Sequence, residues 1–223
     1  MPNWRSLRDD LADLVLARAC AGCETAGTVL CASCRTWLTH EPRAIALPDG
    51  TWAQAGAAYT GIGRDVVLAH KERGWHALTP MLGILLARAV TTITDQPVVL
   101  VPIPPHSTSL ALRGTDPLAD ITRAAVRGLH SIGQHATQAE LLVRARDHGA
   151  LKELDRHSRA RAVRSAFAVN PRRRRPLGAI VVVDDVITTG STLVEARQAL
   201  LSGGIEVTGA AAVASTPLHH ARP

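Results

Sequence analysis

Aromatic side chains are scarce in this chain, with one Tyr, one Phe and four Trp among 223 residues, 3% of the whole. Recognition of unpaired bases by stacking needs a platform of such rings, so the composition gives thin support to a binder of that type. Long apolar runs are missing too. The stretches 81–90 and 98–103 are interrupted by Gly83, Arg88 and Pro102, and neither approaches the ~20 apolar residues of a bilayer-spanning helix, so no membrane segment is expected. The first residues include Trp4, Arg5, Arg8, Asp9 and Asp10. They lack the basic head and unbroken apolar stretch of a secretion signal, and a cytoplasmic location is the expectation. Two nucleotide signatures are also missing. There is no Gly-x-Gly-x-x-Gly for a dinucleotide, and no Lys follows the glycine of the one phosphate-type loop.

What is present is ordinary globular composition, 46% hydrophobic and 20% charged, which suits one well-filled α/β core with a small appendage. The formal net charge is +6, and Arg172, Arg173, Arg174 and Arg175 supply four of those charges. The basicity is therefore local. A patch of this kind suits nucleic acid or a polyphosphate, or is a solvated loop between two strands. His70, His76, His106, His130, His135, His148, His157, His219 and His220 show no metal-ligand spacing and read as surface or loop residues. Trp4, Trp37, Trp52 and Trp75 read as packing residues over the joint between an N-terminal module and the core.

All four cysteines lie within fifteen positions as Cys20, Cys23, Cys31 and Cys34, two Cys-x-x-Cys pairs. Each pair can turn two thiolates toward one point, and two such knuckles complete a tetrahedral sulfur site for Zn²⁺. Two disulfides or a redox pair are the alternatives; the first suits an oxidising compartment, the second a thioredoxin-like surround that the sequence does not offer. With four protein ligands the metal has no open position, so its expected role is structural. Gly22 and Gly27 are expected to supply permissive backbone at the knuckles.

Residues 3–19 carry Trp4, Leu7, Leu11, Leu14 and Val15 at helical spacing. After the cysteines, the stretch from His40 to Gly50 contains Pro42, Pro48 and Gly50 and is expected to link the module, residues 1–50, to a main domain over 51–223. There the pattern predicts a strand over 53–59, helices over 61–72 and 76–94, a strand over 98–103, and a helix over 116–130. A buried strand over 179–185, a helix over 191–201 and a final strand over 205–214 follow. Strands alternating with helices imply a mostly parallel sheet, whose ligands sit at the carboxyl ends of strands near a switch in strand order. The Arg-dense segment 144–164 is expected to form a lid over such a site.

The chemistry is concentrated in VVVDDVITTGST, residues 181–192. A hydrophobic strand delivers Asp184 and Asp185 to its end, and the small polar loop Thr188, Thr189, Gly190, Ser191, Thr192 then opens a helix. Helix-opening amides and hydroxyls make a cradle for a phosphate dianion, while the carboxylates can accept hydrogen bonds from vicinal hydroxyls one sugar ring away. A ribose 5-phosphate satisfies both halves. The alternatives are a strand end followed by a plain helix cap, and a Mg²⁺-dependent phosphoacceptor pocket, which leaves the TTGST segment unexplained.

Residues 181–192 resemble the diphosphoribose signature of type I phosphoribosyltransferases. With the four-cysteine module, Tyr59-Thr60-Gly61 with Arg64 and Lys71, VLVPIP at 99–104, Arg113-Gly114 and RARD at 144–147, nearly the whole chain resembles the ComF family of competence-associated phosphoribosyltransferase-like proteins. The resemblance implies an α/β fold, a mostly parallel sheet flanked by helices with a small zinc module. It implies Mg²⁺-phosphoribosyl diphosphate as substrate, with transfer of the sugar to a nitrogen acceptor and release of pyrophosphate. Asp184 and Asp185 would hold the ribose hydroxyls, and residues 188–192 the 5-phosphate. Pro102 would begin the loop that meets the pyrophosphate, while Lys71, Arg113, Arg144, Arg146 and Arg159 would supply positive charge to it. Mg²⁺ would arrive with the substrate. The family's link with DNA uptake implies a second, non-catalytic reading, in which basic segments bind single-stranded nucleic acid or a helicase-like uptake partner. The chain departs from the family pattern at Thr115, Asp116, Leu151 and Ala162, which bears on turnover more than on binding.

Overall fold

The structure is a computed structural model that describes residues 19–105, 114–145, 166–173 and 176–217. Its centre is a six-stranded sheet. The strands are β1 (Arg43–Ala46), β2 (Trp52–Ala58), β3 (Val98–Pro102), β4 (Ala136–Gln138), β7 (Ala179–Ile187) and β8 (Gly209–Ser215), in the order β1-β2-β8-β7-β3-β4. Among the described strands of this sheet, only β1 runs antiparallel to its neighbour. A second, two-stranded sheet pairs β5 (Leu142–Arg144) with β6 (Phe167–Val169). Five α-helices complete the described chain: α1 (Ala32–Leu38), α2 (Ile62–Arg73), α3 (Thr79–Thr91), α4 (Pro117–Ser131) and α5 (Ser191–Ser202).

The central strands are apolar on both faces, as strands covered by helices on each side must be. Val98, Leu100, Val181, Val183, Ala211 and Val213 face a core built with α2, α3, α4 and the cysteine module. Val99, Val101, Ile180, Val182, Ala210 and Ala212 face the other, built with α5 and the β5–β6 hairpin. The alternation follows from the two-residue period of a strand. Small residues bring backbones together on the first face: a Cβ on Gly56 would lie 2.1 Å from the Leu85 carbonyl oxygen, and one on Gly83 2.5 Å from the Ala124 Cβ. Hence α3 lies close to both β2 and α4.

The expected main-domain elements appear with shifted ends. The helix expected over 76–94 begins with a 3₁₀ turn at His76–Leu78, and α3 proper starts at Thr79 with Pro80 in its first turn. The last strand begins at Gly209 rather than 205, since the Gly203-Gly204 turn sends Ile205 into the second core before pairing starts. Within the stretch expected as a linker, Arg43–Ala46 forms a strand that pairs along Trp52–Ala58 and so extends the main sheet. Its turn is Leu47-Pro48-Asp49-Gly50-Thr51, closed by Leu47 N–H to the Thr51 carbonyl at 2.7 Å. Trp37 lies over the start of α2, 3.7 Å from where a Gly63 Cβ would be, and Trp75 packs on the first core. Trp52 instead stands 61% exposed. Trp4, residues 3–18 of the expected helix and residues 146–164 of the expected lid lie outside the described residues, and Ala19, the helix's last expected position, bridges to Ala26. No helix among the described residues is long and apolar enough to cross a membrane.

Candidate functional site

Two constellations carry chemistry. The first is the cysteine cluster, in which the four Sγ atoms of Cys20, Cys23, Cys31 and Cys34 all lie within 4.8 Å of one another. Zn–S bonds of ~2.3 Å in a tetrahedron place sulfurs about 3.8 Å apart, and Cys23 Sγ stands 3.6 Å from Cys31 Sγ. Backbone amides point at the sulfurs as metal-ligating thiolates require: Cys31 N–H donates to Cys20 Sγ at 3.3 Å and Cys34 N–H to Cys31 Sγ at 3.5 Å. Burial opposes ionisation of Cys20, yet the backbone amides of Cys31, Gly22 and Cys23 hold its thiol down at about 6, whereas burial and the neighbouring sulfurs push Cys34 up. Four sulfurs this close cannot all ionise without a cation between them. The donor set fits a structural zinc ion, and no position is left for a substrate.

The backbone explanation differs from the expectation. The left-handed residue of the first knuckle is Glu24, at φ 61°, not Gly22. Gly22 is needed for closeness instead, because a Cβ there would lie 2.7 Å from Ile62 Cγ2 and 3.0 Å from Cys34 Sγ. The knuckle thus rests directly on the first residue of α2. Gly27 does adopt a left-handed conformation, at φ 86°.

The second constellation lies at the carboxyl ends of β3 and β7. These strands are neighbours, yet β3 leads through α4 to β4 on one side and β7 leads through α5 to β8 on the other. That divergence is a switch in strand order, where the sheet opens a crevice. Pro102 pairs with Val183, so the Val101-Pro102-Ile103-Pro104 turn leaves its strand beside the acidic pair. The strand β7 continues through Asp184 and Asp185 to Ile187. Burial, then the adjacent Asp185, raises the Asp184 carboxyl to about 7, against the pull of the Asp185 N–H that it accepts at 2.8 Å. Lys71, near the end of α2, places Nζ 2.5 Å from Asp185 Oδ2. The family resemblance assigns Lys71 to pyrophosphate; here it faces the carboxylates.

Thr188, Thr189, Ser191 and Thr192 are exposed around the start of α5. Ser191 N–H donates to Thr189 Oγ1 at 3.4 Å, the Thr189 hydroxyl donates to Ser191 Oγ at 3.1 Å, and the Thr216 hydroxyl donates to the Ile187 and Thr188 carbonyls, each at 3.3 Å. The helix cap is Gly190, at φ 78°, with no side-chain capping bond. A Cβ there would lie 2.5 Å from Leu47 Cδ2. The close approach that glycine permits is therefore made by the β1–β2 turn on at least one side.

Arg144 is occupied in part by structure. Its Nε donates to the Pro104 and Pro105 carbonyls at 3.0 and 3.1 Å, and its guanidinium lies 5.1 Å from the Phe167 ring centre. It ties the turn after β3 to the small sheet. Asp116 caps α4, accepting from Leu118 N–H at 3.0 Å and Ala119 N–H at 3.2 Å, and burial raises its carboxyl above the ordinary value. His70 is buried in the first core rather than placed at the surface, with Nε2 2.8 Å from the Thr79 hydroxyl. Burial and the nearby His76 push it down to about 4, so it is neutral at pH 7. Arg113, Arg146, Arg159, Leu151 and Ala162 lie outside the described residues.

Sequence reasoning missed the turn at 47–51 and Arg197 on α5. Arg197 Nη1 pairs with Asp49 Oδ2 at 3.1 Å and also meets the Thr51 hydroxyl. The Pro-Asp-Gly run is a recognised turn signal, and it was legible as a hairpin rather than a linker. No family model and no curated protein matched this chain.

Proposed function

We propose that the chain binds phosphoribosyl diphosphate and displaces its pyrophosphate with a nitrogen nucleophile, as a type I phosphoribosyltransferase of the ComF kind. One observation carries the reading: Asp184 and Asp185 lie near the carboxyl end of a buried strand at the switch in strand order, two residues before its end at Ile187 and just ahead of the exposed hydroxyls and helix start at 188–192. The spacing suits a single ligand, with vicinal hydroxyls on the carboxylates and the 5-phosphate on the amides and hydroxyls of the loop. Pyrophosphate belongs at the turn that leaves β3 after Pro102, on the neighbouring strand.

In the reaction the bond from the anomeric carbon to the pyrophosphate oxygen breaks, and the bond to the acceptor nitrogen forms. Positive charge develops on the sugar, and negative charge on the leaving group. The acidic pair lies on the sugar side, where negative charge is favourable. Mg²⁺ would arrive with the substrate and would supply positive charge to the pyrophosphate oxygens; no protein ligand is assigned to it. The Asp116 departure from the family pattern leaves α4 capped, because its carboxylate accepts from Leu118 N–H and Ala119 N–H.

The test is pyrophosphate release from Mg²⁺-phosphoribosyl diphosphate across a panel of bases and amines, beside a thermal-shift titration with the same compound. Release with one acceptor class supports transfer. Binding without release reduces the proposal to a sugar-phosphate sensor, and absence of both binding and thermal stabilisation overturns it. Nucleic-acid binding gains less from the described basic residues, since Arg173 already pairs with Glu140 at 2.7 Å.

A further inference from the structure

The loop at 188–190 has few bonds of its own, and its helix starts on a glycine without a side-chain cap. Something outside the loop must therefore hold it. Besides Thr216, the turn of the β1–β2 hairpin reaches this region, attached to α5 at two points. At the helix start, Leu47 and Pro48 lie over Gly190, where a Cβ would stand 2.5 and 3.4 Å from their side chains. Seven residues on, ~10 Å along a helix, Arg197 grips the same turn through Asp49 Oδ2 at 3.1 Å and the Thr51 hydroxyl.

The turn is itself stiff. Asp49 Oδ1 accepts from Thr51 N–H at 3.1 Å and from the Thr51 hydroxyl at 2.6 Å, so Asp49 and Thr51 present one closed unit to the guanidinium. The ion pair is largely sheltered, with side-chain exposures of 14% for Arg197 and 25% for Asp49. Hydrogen bonds from Thr51, more than the charge of Arg197, hold the Asp49 carboxyl below its ordinary value. Arg197 Nε is buried without a hydrogen-bond partner among the described residues. Its position costs desolvation and is kept for the contact it makes.

We propose that residues 47–51 form a strap that fixes the loop at 188–192 in its binding geometry, with Asp49 and Arg197 as positioning residues for the sugar phosphate. The proposal rests on the reading of that loop as the 5-phosphate site. Two attachments along one helix set both the height and the angle of the turn above Gly190. Releasing one leaves the loop amides free to sample geometries that do not converge on an anion, and binding must then restore that order.

The test compares Asp49→Asn, Arg197→Gln and the conservative Arg197→Lys with the unaltered chain. Two readouts are used: amide hydrogen exchange over 188–194, and calorimetric affinity for ribose 5-phosphate beside Mg²⁺-pyrophosphate. Asp49→Asn and Arg197→Gln speed exchange over 188–194 and weaken ribose 5-phosphate about tenfold, the scale of coupling between interacting side chains. Mg²⁺-pyrophosphate affinity stays unchanged, and Arg197→Lys recovers most of the loss. Unchanged exchange in the loop overturns the strap whatever the ligand does. Faster exchange with unchanged ribose 5-phosphate affinity overturns the positioning role, as does an equal loss for both ligands. Failure of the unaltered chain to bind ribose 5-phosphate overturns instead the phosphate reading on which that role rests, while the exchange arm still decides whether the strap holds the loop.

Discussion

Asp184 is where fold and site disagree most. A carboxyl raised to about 7 by burial and by Asp185 keeps its proton in the folded chain, but gives it up in the unfolded one near the ordinary value of ~3.9. Between those values the folded state binds more protons, so stability falls as pH rises through the window and stays low above it. The expected outcome is that Asp184→Asn is more stable than the unaltered chain at pH 8, on the order of 2 kcal/mol. At pH 4 the difference nearly vanishes. Urea unfolding at the two pH values measures it, and a difference that does not change with pH would remove Asp184 as the titrating group. The same substitution should weaken ribose 5-phosphate, because an amide offers fewer acceptor sites to two hydroxyls. A gain in stability with a loss of binding is what a site held at the expense of the fold predicts.

At the scale of elements, the long segments were legible and the short ones were not. The strand Ala179–Ile187 opens with five consecutive apolar residues before its acidic pair, and the helix Pro117–Ser131 has an Asp-Pro start, so both announce themselves. By contrast β4, β5 and β6 have three residues each, too few to display a period of two. Their strand character comes from the partners they meet. The same blindness hid the strap, because a four-residue β1 preceded by Pro42 reads locally as linker. Asp116 yields a prediction here. As an N-cap, it should tolerate Asp116→Asn with unchanged or slightly higher stability at pH 7, since burial already penalises its charge. Asp116→Ala should cost about 1 kcal/mol. Gly83→Val tests the neighbouring contact: with Ala124 Cβ only 2.5 Å from a Cβ at that position, α3 and α4 must separate, at a cost of roughly 1–3 kcal/mol. Thermal or urea unfolding of each variant reads both effects.

For the molecule as a whole, the sheet divides two cores that depend on different anchors. The cysteine module contributes Cys20, Leu30, Cys34 and Leu38 to the first core, beside α2, α3 and α4. None of its described residues 19–38 belongs to the second core, which α5 and the small sheet share. The link between the cysteine cluster and the site is α2, which starts against the knuckle at Ile62 and carries Lys71, in its last turn, onto Asp185. A zinc ion bound by the four thiolates is folding free energy for everything that rests on it. The chain should therefore carry one zinc, and a chelator should lower its melting temperature by roughly 4–8 °C for about 2 kcal/mol lost. The loss should be uneven. Amide exchange is expected to rise in α1 and along α2, while α5 and its contacts with β6 keep their protection, because their packing does not pass through the module. Elemental analysis and exchange mass spectrometry before and after chelation measure both parts. A uniform rise across the two faces would mean that the cores melt together and that the sheet does not insulate the strap from the metal. Protection retained in α5 but lost in α2 would place Lys71 under the control of the zinc, and the loop at 188–192 under the control of the strap.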